Sequence, residues 1–129
     1  MLFAALLRLS GLSPDDAVAF LGVRRKMINA WMRPDGSPAQ KSMQKLYDLI
    51  DRQEREAERL IEEWDEAGRP ETFEGEVAGS DEAAQAAGWP SVGAQAVPFA
   101  IAQATLVHVR MRVDVVEPVE AVETEEEES

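Results

Sequence analysis

The sequence predicts a mainly α-helical protein with a small α+β part at its carboxyl end. Apolar residues recur at helical spacing in the first half of the chain, and residues 39–67 contain neither Gly nor Pro. Beyond residue 68, short alternating apolar runs typical of strands lie between Gly and Pro. We therefore divide the chain into a helical domain with a long helix (1–67), a small unit (68–116) and an acidic tail (117–129).

Charge is distributed unevenly along the 129 residues, whose net charge is −12. Residues 1–50 carry seven cations and four anions, a net charge of +3, whereas residues 51–129 carry six cations and twenty-one anions, a net charge of −15. Because salt screens charges over about 8 Å, a local cationic surface can bind an anion although the whole chain is acidic. The two halves therefore suit different partners. The chain has no cysteine, which excludes disulfides and Cys-based zinc sites.

A short helix is predicted to begin just after Ser13. Ser13 is a favourable N-cap, Pro14 suits the first helical position, and Asp15 and Asp16 favour the positive end of the helix dipole. Gly22 can adopt the left-handed conformation that ends a helix. The chain should turn sharply there.

A second short helix should follow the turn. Ile28 and Trp31 are three residues apart and so share one face, which we expect to lie in the core. Trp31 is accordingly expected to be a core residue. The side chains left to face water or a ligand are Arg24, Arg25, Lys26 and Asn29.

The motif that these two helices form is dense between residues 12 and 36. Its residues are Leu12, Ser13, Ala17, Leu21, Gly22, Val23, Ile28, Trp31 and Gly36. This segment resembles the Cro/repressor, or XRE-like, helix-turn-helix class of DNA-binding regulators. The resemblance implies a five-helix-type helix-turn-helix domain that binds double-stranded DNA through the helix starting near Arg24.

Arginine can pair with guanine and asparagine with adenine in the major groove, so the exposed side chains of the second helix are the candidates for base contacts. They are Arg24, Arg25, Lys26 and Asn29. Phosphate contacts position a DNA-binding protein without reading sequence. The candidates for those contacts are Ser13, Arg33, Lys41 and Lys45.

A long helix is predicted over residues 39–67. Met43, Ile50, Ala57 and Trp64 repeat every seven residues, and a second series of Leu46, Gln53 and Leu60 lies between them. The segment DRQEREAER in the middle is charged nearly all round, so we expect it to cross solvent. The apolar residues Leu60, Ile61 and Trp64 beyond it need a cover, which is either the carboxy-terminal part of the same chain or a second copy.

The unit that follows should combine strands and helices. Residues 72–78 are predicted to form a strand with Phe73, Gly75 and Val77 on one side, and Ser80 should cap a helix that extends to Ala87. A further helix is expected over residues 92–106, disturbed by Pro98. Residues 107–115 then alternate as a half-buried strand.

One chain of this length offers few neighbours to cover such a strand, and an unpaired strand edge invites another subunit. The residues expected to form a homodimer are therefore Leu60, Ile61, Trp64, Val109, Met111 and Val113. The long helix, Phe73 after it, and Gly88-Trp89-Pro90 before an Ala-rich helix also resemble, more weakly, the YdiL-like regulators and anti-CRISPR-associated repressors. That resemblance implies a homodimeric transcriptional repressor.

Two other classes of function bear on the same sequence, a protein-binding regulator and an enzyme. An antitoxin-like regulator, whose acidic carboxy-terminal half binds a protein partner, stays open as the alternative. An enzyme is not expected, because the single histidine, His108, has no nucleophile at a telling spacing. No cofactor or metal is implied. The acidic tail is either a disordered, solubilising segment or a mimic of DNA phosphates.

We expect a cytoplasmic protein without a membrane partner. The opening MLFAALLRLSG lacks a basic start and is broken by Arg8, so it suits the first helix of the DNA-binding domain better than a signal peptide. No apolar run approaches the roughly 20 residues needed to span a bilayer.

Overall fold

A computed structural model describes residues 2–116, and the predicted acidic tail lies outside the described residues. The described chain is mainly helical with one small sheet, as the sequence predicted. Its elements are α1 (Leu2–Leu9), α2 (Pro14–Leu21), α3 (Arg25–Trp31), α4 (Gln40–Glu66), β1 (Thr72–Ala78), α5 (Asp81–Ala86), α6 (Val92–Thr105) and β2 (Arg110–Val116). None of the helices in this part of the chain is both long and apolar enough to cross a membrane.

The ends of α2 follow the local signals in the sequence. Ser13 Oγ accepts a hydrogen bond from the backbone N–H of Asp16, and the Asp16 carboxylate accepts one from the backbone N–H of Ser13. This reciprocal pair satisfies two donors at the start of the helix. At the other end Gly22 has φ +69°, the left-handed conformation that suits glycine. The predicted turn between the two short helices is confirmed.

The amino-terminal core is built by α1 to α4 and closed by the second half of the chain. Trp31 is 5% exposed and meets the ring of Phe3 edge to face, with 5.5 Å between ring centroids, so its predicted place in the core is confirmed. Residues 2–67 contain four helices, not the five that the resemblance implies. The first turn of α6 packs against this core through the fully buried Ala94, and Trp89 contacts it as well.

The middle of α4 does not cross solvent, which corrects the sequence prediction. Its charged residues occupy one side, while Gln53 and Ala57 on the other side are 0% and 1% exposed. Helix α6 runs along this side of α4. The segment is thus amphipathic. Its buried stripe consists of one glutamine and one alanine, so the sequence showed no apolar pattern among the charged residues.

Gln53 is the link between α4 and α6. Residue 98 is a proline and has no N–H, so the carbonyl of Ala94 lacks its usual intrahelical donor. Gln53 Nε2 donates to that carbonyl at 3.0 Å and to the carbonyl of Ser10 at 2.9 Å. Pro98 was expected to disturb this helix. Instead α6 continues through Pro98, and Gln53 of α4 donates the hydrogen bond that the proline cannot.

The two strands form a parallel sheet with Thr72 opposite Arg110 and Ala78 opposite Val116. Phe73 and Val77 of β1 are buried, and a Cβ on Gly75 would lie 2.1 Å from the ring of Phe99 on α6, so a larger residue at position 75 would displace that ring. Together with α4 and α6 the sheet encloses a second core. Its buried members are Leu60, Trp64, Phe73, Ala102, Leu106 and Val109.

Strand β2 begins at Arg110, later than predicted. Residues 107–109 form a turn in which Val107 is exposed and Val109 is buried. Within the strand Met111 is partly buried, but Val113 and Val115 are 36% and 61% exposed. The expected half-buried strand therefore has its apolar face covered only at its start, where Met111 packs against the second core.

Candidate nucleic-acid interface

Three exposed cations stand in a row where α3 begins. Arg24 is the N-cap, with φ −76° and ψ 152°, and Arg25 and Lys26 form the first turn of the helix. The opposite face of α3 is buried, since Ile28 is 0% exposed. Helix α3 therefore directs its apolar side into the core and its cationic side away from it.

Arg25 is held by two polar side chains at the surface. Its guanidinium forms an ion pair with Asp15 of α2, and its Nε donates to Asn29 Oδ1 at 3.2 Å. Two of the predicted base-contacting residues are thus joined to each other. Asp15 and Arg25 are 85% and 51% exposed in their side chains, and an ion pair so exposed contributes at most about 1 kcal/mol. A ligand with negative charge can compete with it.

Ser13 and Lys45, both predicted to contact phosphate, have defined partners within the chain. The Ser13 hydroxyl accepts the capping bond described above, which leaves its own hydrogen to donate. Lys45 Nζ donates to the carbonyl of Phe20 at 2.9 Å and lies 5.3 Å from the centre of the Phe20 ring. Lys45 therefore supports the carboxyl end of α2, where a cation is favourable.

Two further residues predicted to contact phosphate are exposed at the surface. Arg33 follows the end of α3, and Lys41 is in the first turn of α4; both are exposed. These two cations and the three at the start of α3 belong to the amino-terminal half, which carries the net positive charge.

The residues predicted to form the dimer are largely covered by the same chain. They were expected to need a second copy as cover, and this expectation is wrong for most of them. Leu60, Trp64 and Val109 are 5%, 7% and 3% exposed and lie in the second core. Trp64 Nε1 also donates to the carbonyl of Pro70 at 2.8 Å. Ile61 and Met111 are partly buried against this core. Of the six residues, Val113 alone is exposed.

Sequence reasoning missed the contacts of two residues, Asp15 at the surface and Gln53 in the interior. Asp15 was interpreted only as a first-turn acid, and nothing local in the sequence indicates that it reaches Arg25, ten residues away. Gln53 did leave a signal, because it is the polar member of an otherwise apolar series with Leu46 and Leu60. A polar residue at such a position needs a hydrogen-bond partner, which here is the backbone of α6.

Comparisons with known proteins give no assignment. No protein-family model matches the chain, and no curated protein sequence matches it at a significant level.

Proposed function

We propose that this protein is a sequence-specific DNA-binding transcriptional regulator, a homodimeric repressor that binds an inverted-repeat operator. The observation that carries the proposal is the exposed row Arg24, Arg25 and Lys26 at the start of α3, which follows α2 after a three-residue turn. A helix-turn-helix protein places the amino-terminal residues of its second helix against base edges in the major groove.

The surrounding charges support this role. Arg33 and Lys41 add cations outside α3, and phosphate contacts from such residues supply much of the affinity of a DNA-binding protein. Asn29 is exposed beside Arg25, so one guanidinium and one amide are available as neighbouring groups for base recognition. In this function Arg24, Arg25, Lys26 and Asn29 read bases, whereas Ser13, Arg33 and Lys41 contact phosphates.

Arg25→Ala tests the assignment of base readout. We expect it to weaken binding to the preferred duplex by about 1 to 3 kcal/mol and to change binding to random duplex far less. Lys41→Ala is the matched control: it should weaken all duplexes alike and lower the dependence of affinity on salt by about one counterion. Fluorescence anisotropy with both duplexes at several salt concentrations measures these effects.

Asp15→Asn provides a change in the opposite direction. It removes a negative charge beside the DNA-binding surface and releases the Arg25 guanidinium, so affinity should rise.

An equal loss on preferred and random duplex for Arg25→Ala would show that Arg25 does not read bases.

A second function, an antitoxin-like regulator that binds a protein partner, is favoured by an acidic cleft in the carboxy-terminal half. The cleft has a volume of about 440 Å³, and its charged lining consists of Glu56, Arg59, Glu63, Glu74, Glu76 and Asp114. Arg59 donates to Glu56 and Glu63, and these hydrogen bonds raise the pKa of Arg59 above its ordinary value. Glu74 and Glu76 add negative charge to the same lining, which favours a basic segment. A foreign chain that copurifies in fixed ratio and occupies this cleft would favour this function.

A further inference from the structure

The outer edge of β2 carries backbone groups that face away from β1. The N–H of Arg110 donates to the carbonyl of Glu71 at 2.9 Å, so Arg110, Arg112 and Asp114 turn their backbone groups toward β1. Because these groups alternate along a strand, those of Met111, Val113 and Val115 point to the other side. Among residues 2–116 no strand pairs with that side, since the sheet contains β1 and β2 alone.

One end of this edge is closed by a side chain. The N–H of Met111 donates to Gln103 Oε1 at 3.0 Å, and Gln103 Nε2 donates to the carbonyl of Val109 at 2.7 Å. Gln103 thus occupies the N–H of Met111, so a strand added at this edge would meet Met111 through its carbonyl alone. Beyond it Val113 and Val115 combine open backbone groups with exposed apolar side chains, a combination that native proteins usually cover.

We propose that this edge binds a second copy of the chain, with the two β2 strands antiparallel and Val113 opposite the partner's Val113. The result is a four-stranded sheet, in the order β1, β2, β2 and β1, across a two-fold axis. A two-fold interface requires one surface to be complementary to itself, and an antiparallel pair of identical strands fulfils that condition. The dimeric state rests on the proposed function, whereas the interface itself is independent of DNA.

The charges of β2 favour this register. With Val113 at the centre, Arg112 of each copy lies opposite the partner's Asp114, which gives two pairs of opposite charge. Two neighbouring antiparallel registers keep the same face inward. One of them places Arg112 opposite the partner's Arg112, and the other places Asp114 opposite the partner's Asp114. Like charges directly opposite are unfavourable.

The charged neighbours of Asp114 within its own chain favour the same register. Its neighbour on β1 in the sheet register is Glu76, another acid, whereas Arg112 has Glu74 as its neighbour. Within the chain Asp114 has Arg112 at 3.7 Å. A second Arg112 from the other copy would lie on the open side of Asp114 and offset the repulsion from Glu76.

Charge reversal tests the register directly. Arg112→Asp and Asp114→Arg, each alone, place two like-charge pairs in the interface and should weaken the dimer about tenfold or more. An equal mixture of the two single variants restores both pairs of opposite charge and should form a heterodimer about as tight as the intact dimer. Arg110→Asp is the control, because Arg110 would lie opposite the partner's Val116 and its reversal should change dissociation little. Sedimentation velocity over a concentration series measures all four.

Val113→Pro tests the edge without disturbing β1. The N–H of Val113 points away from β1, and proline is tolerated in an edge strand at such a position. The variant should keep its helical circular dichroism but become monomeric. Intact protein that is monomeric at micromolar concentration, or single charge variants that dimerise as tightly as the intact chain, would overturn the proposal. A dimer that responds as expected but binds no duplex would instead reject the DNA-binding function and leave this interface standing.

Discussion

Trp31→Ala is expected to lower the free energy of unfolding by about 3 to 5 kcal/mol. Trp31 is 5% exposed and packs against Phe3, so the substitution leaves a cavity at the centre of the amino-terminal core. A small domain has only about 5 to 15 kcal/mol of stability in total. The proposed DNA binding should therefore be lost through unfolding, which thermal and urea melts detect.

Met27→Ala is the matched control on the same helix. Met27 is 44% exposed, so this truncation removes little buried surface and should change stability by less than about 0.5 kcal/mol. If Trp31→Ala melted normally but no longer bound DNA, Trp31 would belong to the interface and its place in the core would be refuted.

Gln53→Leu should lower the free energy of unfolding by about 2 to 4 kcal/mol. The leucine has a similar volume but no donor, so the carbonyls of Ser10 and Ala94 would both lose the hydrogen bond they receive from Gln53 inside the protein. The carbonyl of Ala94 cannot recover one within α6, because Pro98 has no N–H to give. The loss should therefore loosen α6 from α4 as well as lower the melting temperature.

Gln44→Leu makes the same chemical change on the exposed side of α4, where Gln44 bonds Asp48 at the surface. We expect it to be nearly neutral. Hydrogen exchange should then show faster exchange of the α6 amides in Gln53→Leu than in Gln44→Leu. Equal stability of the two variants would mean that the buried glutamine does not tie the helices together.

Local chemistry explains why much of the fold could be predicted. The caps and turn at Ser13 and Gly22 depend on neighbouring residues alone, and so do the length of α4 and the cap at Ser80. The exposed cations of α3 followed from the spacing of Ile28 and Trp31.

Non-local packing explains what could not be predicted. Whether Leu60 and Trp64 are covered by their own chain or by another copy depends on where α6 lies, which no spacing within α4 reveals. The parallel pairing of β1 with β2 joins residues 38 positions apart through α5 and α6. The contact from Arg25 to Asp15 likewise arises only once α2 and α3 are packed together.

Selection from a pool of random DNA duplexes with the full-length protein tests the central claim most directly. The proposed function predicts enrichment of an inverted repeat whose half-sites are about one helical turn apart, roughly 10 base pairs. It also predicts that Arg25→Ala loses preference at defined positions of each half-site while other positions stay selected. A pool that shows no enriched sequence after repeated rounds, from protein that is folded by circular dichroism, would contradict sequence-specific DNA binding.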